Sequence, residues 1–188
     1  IDSSVSSTLS AMTGLKTIVL TMPIKQKEDQ NNLSLKHKEW LIKNFKNVEA
    51  HTINLDKLFE SFSSTLEKFD NEHGFANSRA RLRMTTLYQV AAANKGIVVG
   101  TGNKVEDFGV GFYTKYGDGG VDISPIADCN KTEVWELGKE LGILKEIIDA
   151  PPTDGLWDDG RTDEGQLGFK YEDLEDAMKN PNSPHRQE

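Results

Sequence analysis

Apolar residues recur along the chain in two rhythms, short continuous runs and longer stretches with a period near 3.6, and their alternation predicts strands separated by helices. Val5, Leu9 and Met12 share one helical face, which predicts an opening helix ended by Gly14. Lys16-Thr-Ile-Val-Leu-Thr-Met22, closed by Pro23, is a β-branched run suited to a buried parallel strand. The polar residues 25–32 read as a loop. Leu35, Trp40, Leu41 and Phe45 mark an amphipathic helix beginning near Leu33, and residues 50–55 supply the next strand. Leu58, Phe59, Phe62, Leu66 and Phe69 then repeat at helical spacing, a stripe expected in the core.

Gly74 breaks that pattern, and a long helix is predicted from Asn77 through Leu87 to Ala92. Ile97 to Val99, bounded by glycines, reads as a short buried strand, and the glycine-rich residues after it as loop. A further helix starts at Lys131, with Thr132 as candidate cap, Val134, Leu137 and Leu141 apolar, and Gly142 as its stop. Residues 151–164 are rich in Pro, Gly and Asp and have the length of a mobile functional loop, and residues 171–178 form a last short helix. Strands alternating with helices throughout imply an α/β domain with a doubly wound, mainly parallel sheet and helices on both faces.

At 188 residues the chain suits one domain with a single core. Its net charge of -8 repels nucleic acid and anionic membrane, so an anionic ligand has to be held by local positive groups. The single Cys129 excludes an intramolecular disulfide framework and a multi-cysteine zinc site, favours a cytoplasmic setting, and is expected to be a buried, inert thiol. The sequence holds no apolar run of membrane-spanning length and opens on no signal-like segment. His51 and His73 lack partners at metal-ligand spacing.

Three stretches carry candidate chemistry. In open α/β sheets ligands bind beyond the carboxyl ends of strands, where the loop after Val99 places Thr101, Glu106, Lys115, Asp118, Asp122 and Lys131. Acids and lysines beside glycines suit a phosphate-and-metal ligand, and a solvated surface loop is the alternative. Asp2, Ser3 and Ser4 occupy the first turn of the opening helix, where free amides and the dipole favour a phosphate. A helix that starts at the second residue predicts a strand and turn leading into it. Arg79, Arg81 and Arg83 lie near the amino end of another helix, where three guanidiniums point to an anion or to a solvated face.

These residues resemble the ammonia-dependent NAD synthetases, of the pyrophosphate-loop ATP pyrophosphatase superfamily, over nearly the whole chain. Ile1-Asp-Ser-Ser matches the end of that family's Ser-Gly-Gly-x-Asp-Ser loop, and Asn77-Ser-Arg-Ala-Arg-Leu-Arg-Met is similar to its arginine helix. Phe112-Tyr-Thr-Lys-Tyr-Gly-Asp-Gly-Gly-Val-Asp resembles its most distinctive block, and Pro152-Thr153 with Asp163-Glu164 and Leu167-Gly168 its closing loop. Two departures stand out. The serine and glycines expected before Ile1 are not in the sequence, and Asn103-Lys104 stands where Asp-His is frequent. The resemblance implies one domain over residues 1–188, lacking its first strand and part of the pyrophosphate loop, with a Rossmann-like, adenine nucleotide alpha-hydrolase-like fold.

The implied reaction joins ammonia to the nicotinic acid carboxylate of deamido-NAD, with ATP as co-substrate and Mg2+ as cofactor, through an acyl-adenylate. By motif match, Asp2 and Glu106 are the metal ligands; Asp2, Ser3, Ser4, Thr101, Lys131 and Thr153 contact ATP; and Arg81, Lys115 and Asp122 contact deamido-NAD. Lys131 follows the departing pyrophosphate, and Asp118 is the candidate base for ammonium, with stabilisation of a tight turn as its alternative role. The resemblance also implies a homodimer and free ammonia as nitrogen donor. A sister amide-forming synthetase and a nucleotide-sensing module without turnover are the rival readings.

Overall fold

The computed structural model describes residues 1–26, 28–157 and 159–187. Helix α1 covers Asp2–Met12 and leads into strand β1, Thr17–Thr21. Helix α2, Glu28–Asn44, crosses to strand β2, Val48–Thr52. The two strands pair in parallel, Thr17 opposite Val48 through Thr21 opposite Thr52, which is the hydrogen-bonded outcome of a helical crossover. Helix α3, Asp56–Thr65, is followed by the long α4, Glu72–Ala93. A π-helical turn spans Val105–Val110. Helices α5 (Lys131–Glu140), α6 (Lys145–Ile148), α7 (Asp163–Leu167) and α8 (Tyr171–Lys179) follow, and short 3-10 turns lie at Glu67–Phe69 and Pro184–Gln187.

Two apolar clusters hold these elements. Val5 of α1 packs with Ile126, Val134 of α5, and Ile143 and Ile147 of the α6 region, fixing α1 against α5. Ile24, Leu55 and Phe59 form the second cluster beneath α4, joined by Phe75 and Leu82. The first cluster matters most for function, because it brings the opening turn of α1 beside the opening turn of α5.

Several expected elements shift. Helix α2 begins within the predicted loop, because a first turn of acidic and amide residues has no apolar position to reveal it; Lys27 lies outside the described residues. Gly74 sits inside α4 rather than before it, since Asn71 caps the helix by accepting the Gly74 amide at 2.7 Å. Ile97 is exposed and only Val98 is buried; the segment makes one parallel bridge, Val99 to Ile123, instead of a strand flanked on both sides. Phe59 alone of the stripe is buried; Leu58 lies on the solvent side of α3, and Phe69 faces out beyond the end of α3 at Thr65. Met12 is exposed at the end of α1, and Cys129 is half-buried on the edge of the first cluster rather than buried. Thr132 does not cap α5: Glu133 accepts the Asn130 amide at 2.7 Å, and the Thr132 hydroxyl turns to Glu175.

Candidate active site

Three residues far apart in sequence meet where α1, the π-helical turn and α5 converge. Lys131, the first residue of α5, is 2% exposed, and its Nζ donates to Asp2 Oδ2 at 2.6 Å and to Glu106 Oε1 at 2.9 Å. Burial favours the neutral amine, but the two carboxylates outweigh it and raise the lysine above its ordinary value, so it stays an ammonium. Burial likewise pushes Asp2 up, yet the adjacent ammonium and its hydrogen bonds win and leave it below the ordinary aspartate range. The motif-matched Asp2, Glu106 and Lys131 thus form one buried ionic cluster.

Sequence reasoning left three members of this cluster without a role. Asn103, fully buried, donates from Nδ2 to Asp2 Oδ1 at 2.9 Å while its Oδ1 accepts the Glu106 amide at 3.1 Å, so it ties the two acids together. Its position was visible only as a departure from Asp-His. Tyr171, fully buried at the start of α8, donates its hydroxyl to Glu106 Oε1 at 2.6 Å, and the Lys131 ammonium lies 4.8 Å from its ring centroid. Asp163, at the start of α7, has Oδ2 3.3 Å from the Tyr171 hydroxyl, and its buried Oδ1 has no hydrogen-bond partner among the described residues. Burial pushes the Asp163 carboxyl up to about 7, Lys131 opposing and Glu106 and Asp154 reinforcing the rise. Its signal in sequence was the Asp163-Glu164 pair of the closing loop.

The remaining candidates are distributed around this centre. Ser3 is exposed and Ser4 buried on the first turn of α1, next to Asp2. Thr101 is half-buried two residues before Asn103. Thr153 donates to the Arg161 carbonyl at 3.0 Å and accepts the Gly155 amide, tying the start of the 151–162 loop to its end. Arg79 anchors that loop to α4 by donating to the Leu156 carbonyl at 2.6 Å. Arg81 Nε donates to the Lys115 carbonyl at 3.1 Å, so these two predicted ligands of the acceptor sit together. Asp122 accepts the Val98 amide at 2.7 Å and the Tyr88 hydroxyl at 3.1 Å, which fixes its carboxylate to the Val98 segment and α4. Asp118 accepts the Thr114 amide at 3.0 Å, so it performs the turn-stabilising role set against its catalytic one. Gly117 lets this turn approach α4: a Cβ there would lie 2.9 Å from that of Ala80.

A model of the NAD synthase family matches residues 1–188. The chain belongs to the NAD synthase family. It is 43% identical over 139 residues to an NH3-dependent NAD+ synthetase of Carboxydothermus hydrogenoformans, covering 72% of this chain and 56% of that protein. It is 39% identical over 178 residues to that of Sulfurisphaera tokodaii, covering 95% of this chain and 62% of that protein. The chain therefore spans a little over half the length of these curated relatives. Among solved structures, an NMN synthetase from Francisella tularensis superposes with a TM-score of 0.87 at 37% identity, over 95% of this chain and 72% of that one. An NH3-dependent NAD synthetase from Campylobacter jejuni, 24% identical with a TM-score of 0.73 over 99% of this chain and 71% of that one, shows the shared α/β fold.

For a NAD synthase-family chain the donor set at this cluster suits Mg2+. Lys131 and Tyr171 both donate to Glu106 Oε1, and Oε2 receives no hydrogen bond among the described residues. Asp2 adds a second carboxylate across the same ammonium. Among the described residues no three acidic, cysteine or histidine side chains form a complete metal cage. One or two carboxylates with substrate phosphates completing the shell is the usual manner of holding Mg2+.

Proposed function

We propose that the protein joins ammonia to the pyridine carboxylate of deamido-NAD, with ATP converted to AMP and pyrophosphate. The observation that carries this reading is the buried ammonium of Lys131 shared between Asp2 and Glu106 in a chain of the NAD synthase family. A carboxylate is a poor electrophile, so it first attacks the α-phosphorus of ATP. Pyrophosphate leaves, an acyl-adenylate forms, and ammonia displaces AMP from it. The first step brings one anion to a polyanion, so the site has to neutralise charge. Lys131 supplies a point charge that can leave the carboxylates for the phosphates, and the free amides at the start of α1, beside Ser3 and Ser4, face the same region. Asp2 and Glu106 would hold Mg2+, which when bound neutralises phosphate charge. Thr101 and Thr153 complete the ATP contacts, and Arg81, Lys115 and Asp122 those of the acceptor. Asp118 takes the proton of ammonium while anchored through Thr114. Residues 151–167 close over the nucleotide and exclude water that would hydrolyse the adenylate. The active form is a homodimer, and the single Cys129 fits a cytoplasmic setting.

A mononucleotide acceptor, nicotinic acid mononucleotide, is the second reading. It is supported by the fit of 95% of the chain to the Francisella tularensis NMN synthetase. Competition between the two acceptors at equal concentration, with ATP, Mg2+ and ammonium, tests both. NAD as the dominant product supports the dinucleotide reading, nicotinamide mononucleotide the second, and absence of both amides rejects the proposed activity.

A further inference from the structure

Helix α8 carries two buried polar side chains one turn apart, Tyr171, which reaches the ionic cluster, and Glu175, which reaches the residue after Lys131. Tyr171 donates to Glu106 Oε1 at 2.6 Å. Glu175 accepts the Thr132 amide at 2.9 Å and the Thr132 hydroxyl at 2.6 Å, fastening the residue that follows Lys131. Residues four apart lie on one helical face, so a single face of α8 grips both the turn that bears Glu106 and the first turn of α5 that bears Lys131.

We propose that Tyr171 and Glu175 are positioning residues, through which α8 holds Glu106 in the rotamer that leaves Oε2 free for metal and keeps Lys131 on Oε1. This deepens the proposed function and rests on its reading of Glu106 as a metal ligand. The phenol is what makes the arrangement directional. With Lys131 and Tyr171 both on Oε1, the carboxylate cannot turn without giving up a short hydrogen bond. Without the hydroxyl, one donor remains, and the carboxylate is free to present either oxygen to the lysine. Glu175 holds the other side of the pair by fixing where α5 begins.

The test is Tyr171→Phe, which keeps the ring edge-to-face on Trp135 at 5.9 Å and beneath the ammonium of Lys131, removing only the hydroxyl. Mn2+ binding is read by electron paramagnetic resonance with a non-hydrolysable ATP analogue, beside the half-saturating Mg2+ for AMP release. Groups that orient metal ligands typically change affinity 10–100-fold on removal, so binding weakens about tenfold, while the acceptor KM stays within about twofold. Glu175→Gln shifts metal binding in the same direction by a smaller factor. If Tyr171→Phe does not fold, Glu175→Gln gives the same decision. A packing role alone would lower the thermal midpoint and leave metal binding of the folded protein unchanged. Unchanged Mn2+ binding in Tyr171→Phe, or no Mn2+ binding with nucleotide in the parent protein, would overturn the proposal. Weakened metal binding in a protein that amidates no acceptor would instead remove the proposed function and keep the positioning role.

Discussion

Replacing Lys131 by methionine preserves most of the side-chain volume and deletes the charge that Asp2 and Glu106 share. The two carboxylates, 17% and 15% exposed, then face each other with no ammonium between them. Removing one partner from a buried ion pair costs about 3–5 kcal/mol, because the remaining charge is left uncompensated. With a urea slope of about 2 kcal/mol/M, the unfolding midpoint falls by roughly 2 M without Mg2+. The loss depends on pH with a definite sign. Asp2 is depressed in the native protein, so its stabilising contribution is present above the unfolded value of 3.8 and is lost as pH falls through the folded one. In Lys131→Met the Asp2 carboxyl, buried without its ammonium, gains by taking up a proton, so the gap between the two proteins narrows from pH 7 toward pH 4. Mg2+ narrows it as well, by supplying a cation to the orphaned acids. Urea unfolding of both proteins at the two pH values, with and without Mg2+, is the assay. Equal midpoints at pH 7, or a gap that stays constant down to pH 4, would refute the coupling.

Asp163→Asn carries the opposite sign: between 3.8 and about 7 the folded state holds a proton that the unfolded state has lost, so parent stability falls as pH rises through that window. Without Mg2+ the variant gains on the parent over the same range, by about 2–4 kcal/mol above pH 7, and a pH-independent difference in urea midpoints contradicts the assignment. Gly117→Ala drives a Cβ to within 2.9 Å of Ala80, on a helix that cannot yield locally, so a destabilisation of about 1–3 kcal/mol is expected. Thermal unfolding measures it, and an unchanged midpoint would show that the turn is free to move off α4.

The parallel α/β plan was legible because β1 is a continuous β-branched run and because amphipathic helices flank it. Its boundaries were less so. Helix α2 starts in polar residues and Gly74 is absorbed into α4 by a cap, and apolar periodicity registers neither event. For the site, Asp2, Glu106 and Lys131 were found through motif resemblance, and their convergence depends on α1 packing against α5 through Val5 and Val134. Asn103 and Tyr171 escaped notice because their partners lie 101 and 65 residues away in sequence. An asparagine within a glycine-rich loop and an aromatic in a final helix look like ordinary structural residues. Only the fold shows that one ties the two acids and the other adds a second donor to Glu106 Oε1.

The proposed function has this cluster serve adenylation of a pyridine carboxylate followed by capture of free ammonia. Its most direct measurement is the ratio of AMP released to amide formed with deamido-NAD, ATP and Mg2+, comparing ammonium with glutamine. AMP and NAD are expected in a one-to-one ratio with ammonium, with pyrophosphate as the other product and no NAD with glutamine alone. Release of ADP and inorganic phosphate, or AMP formation with no amide at saturating ammonium, would contradict it.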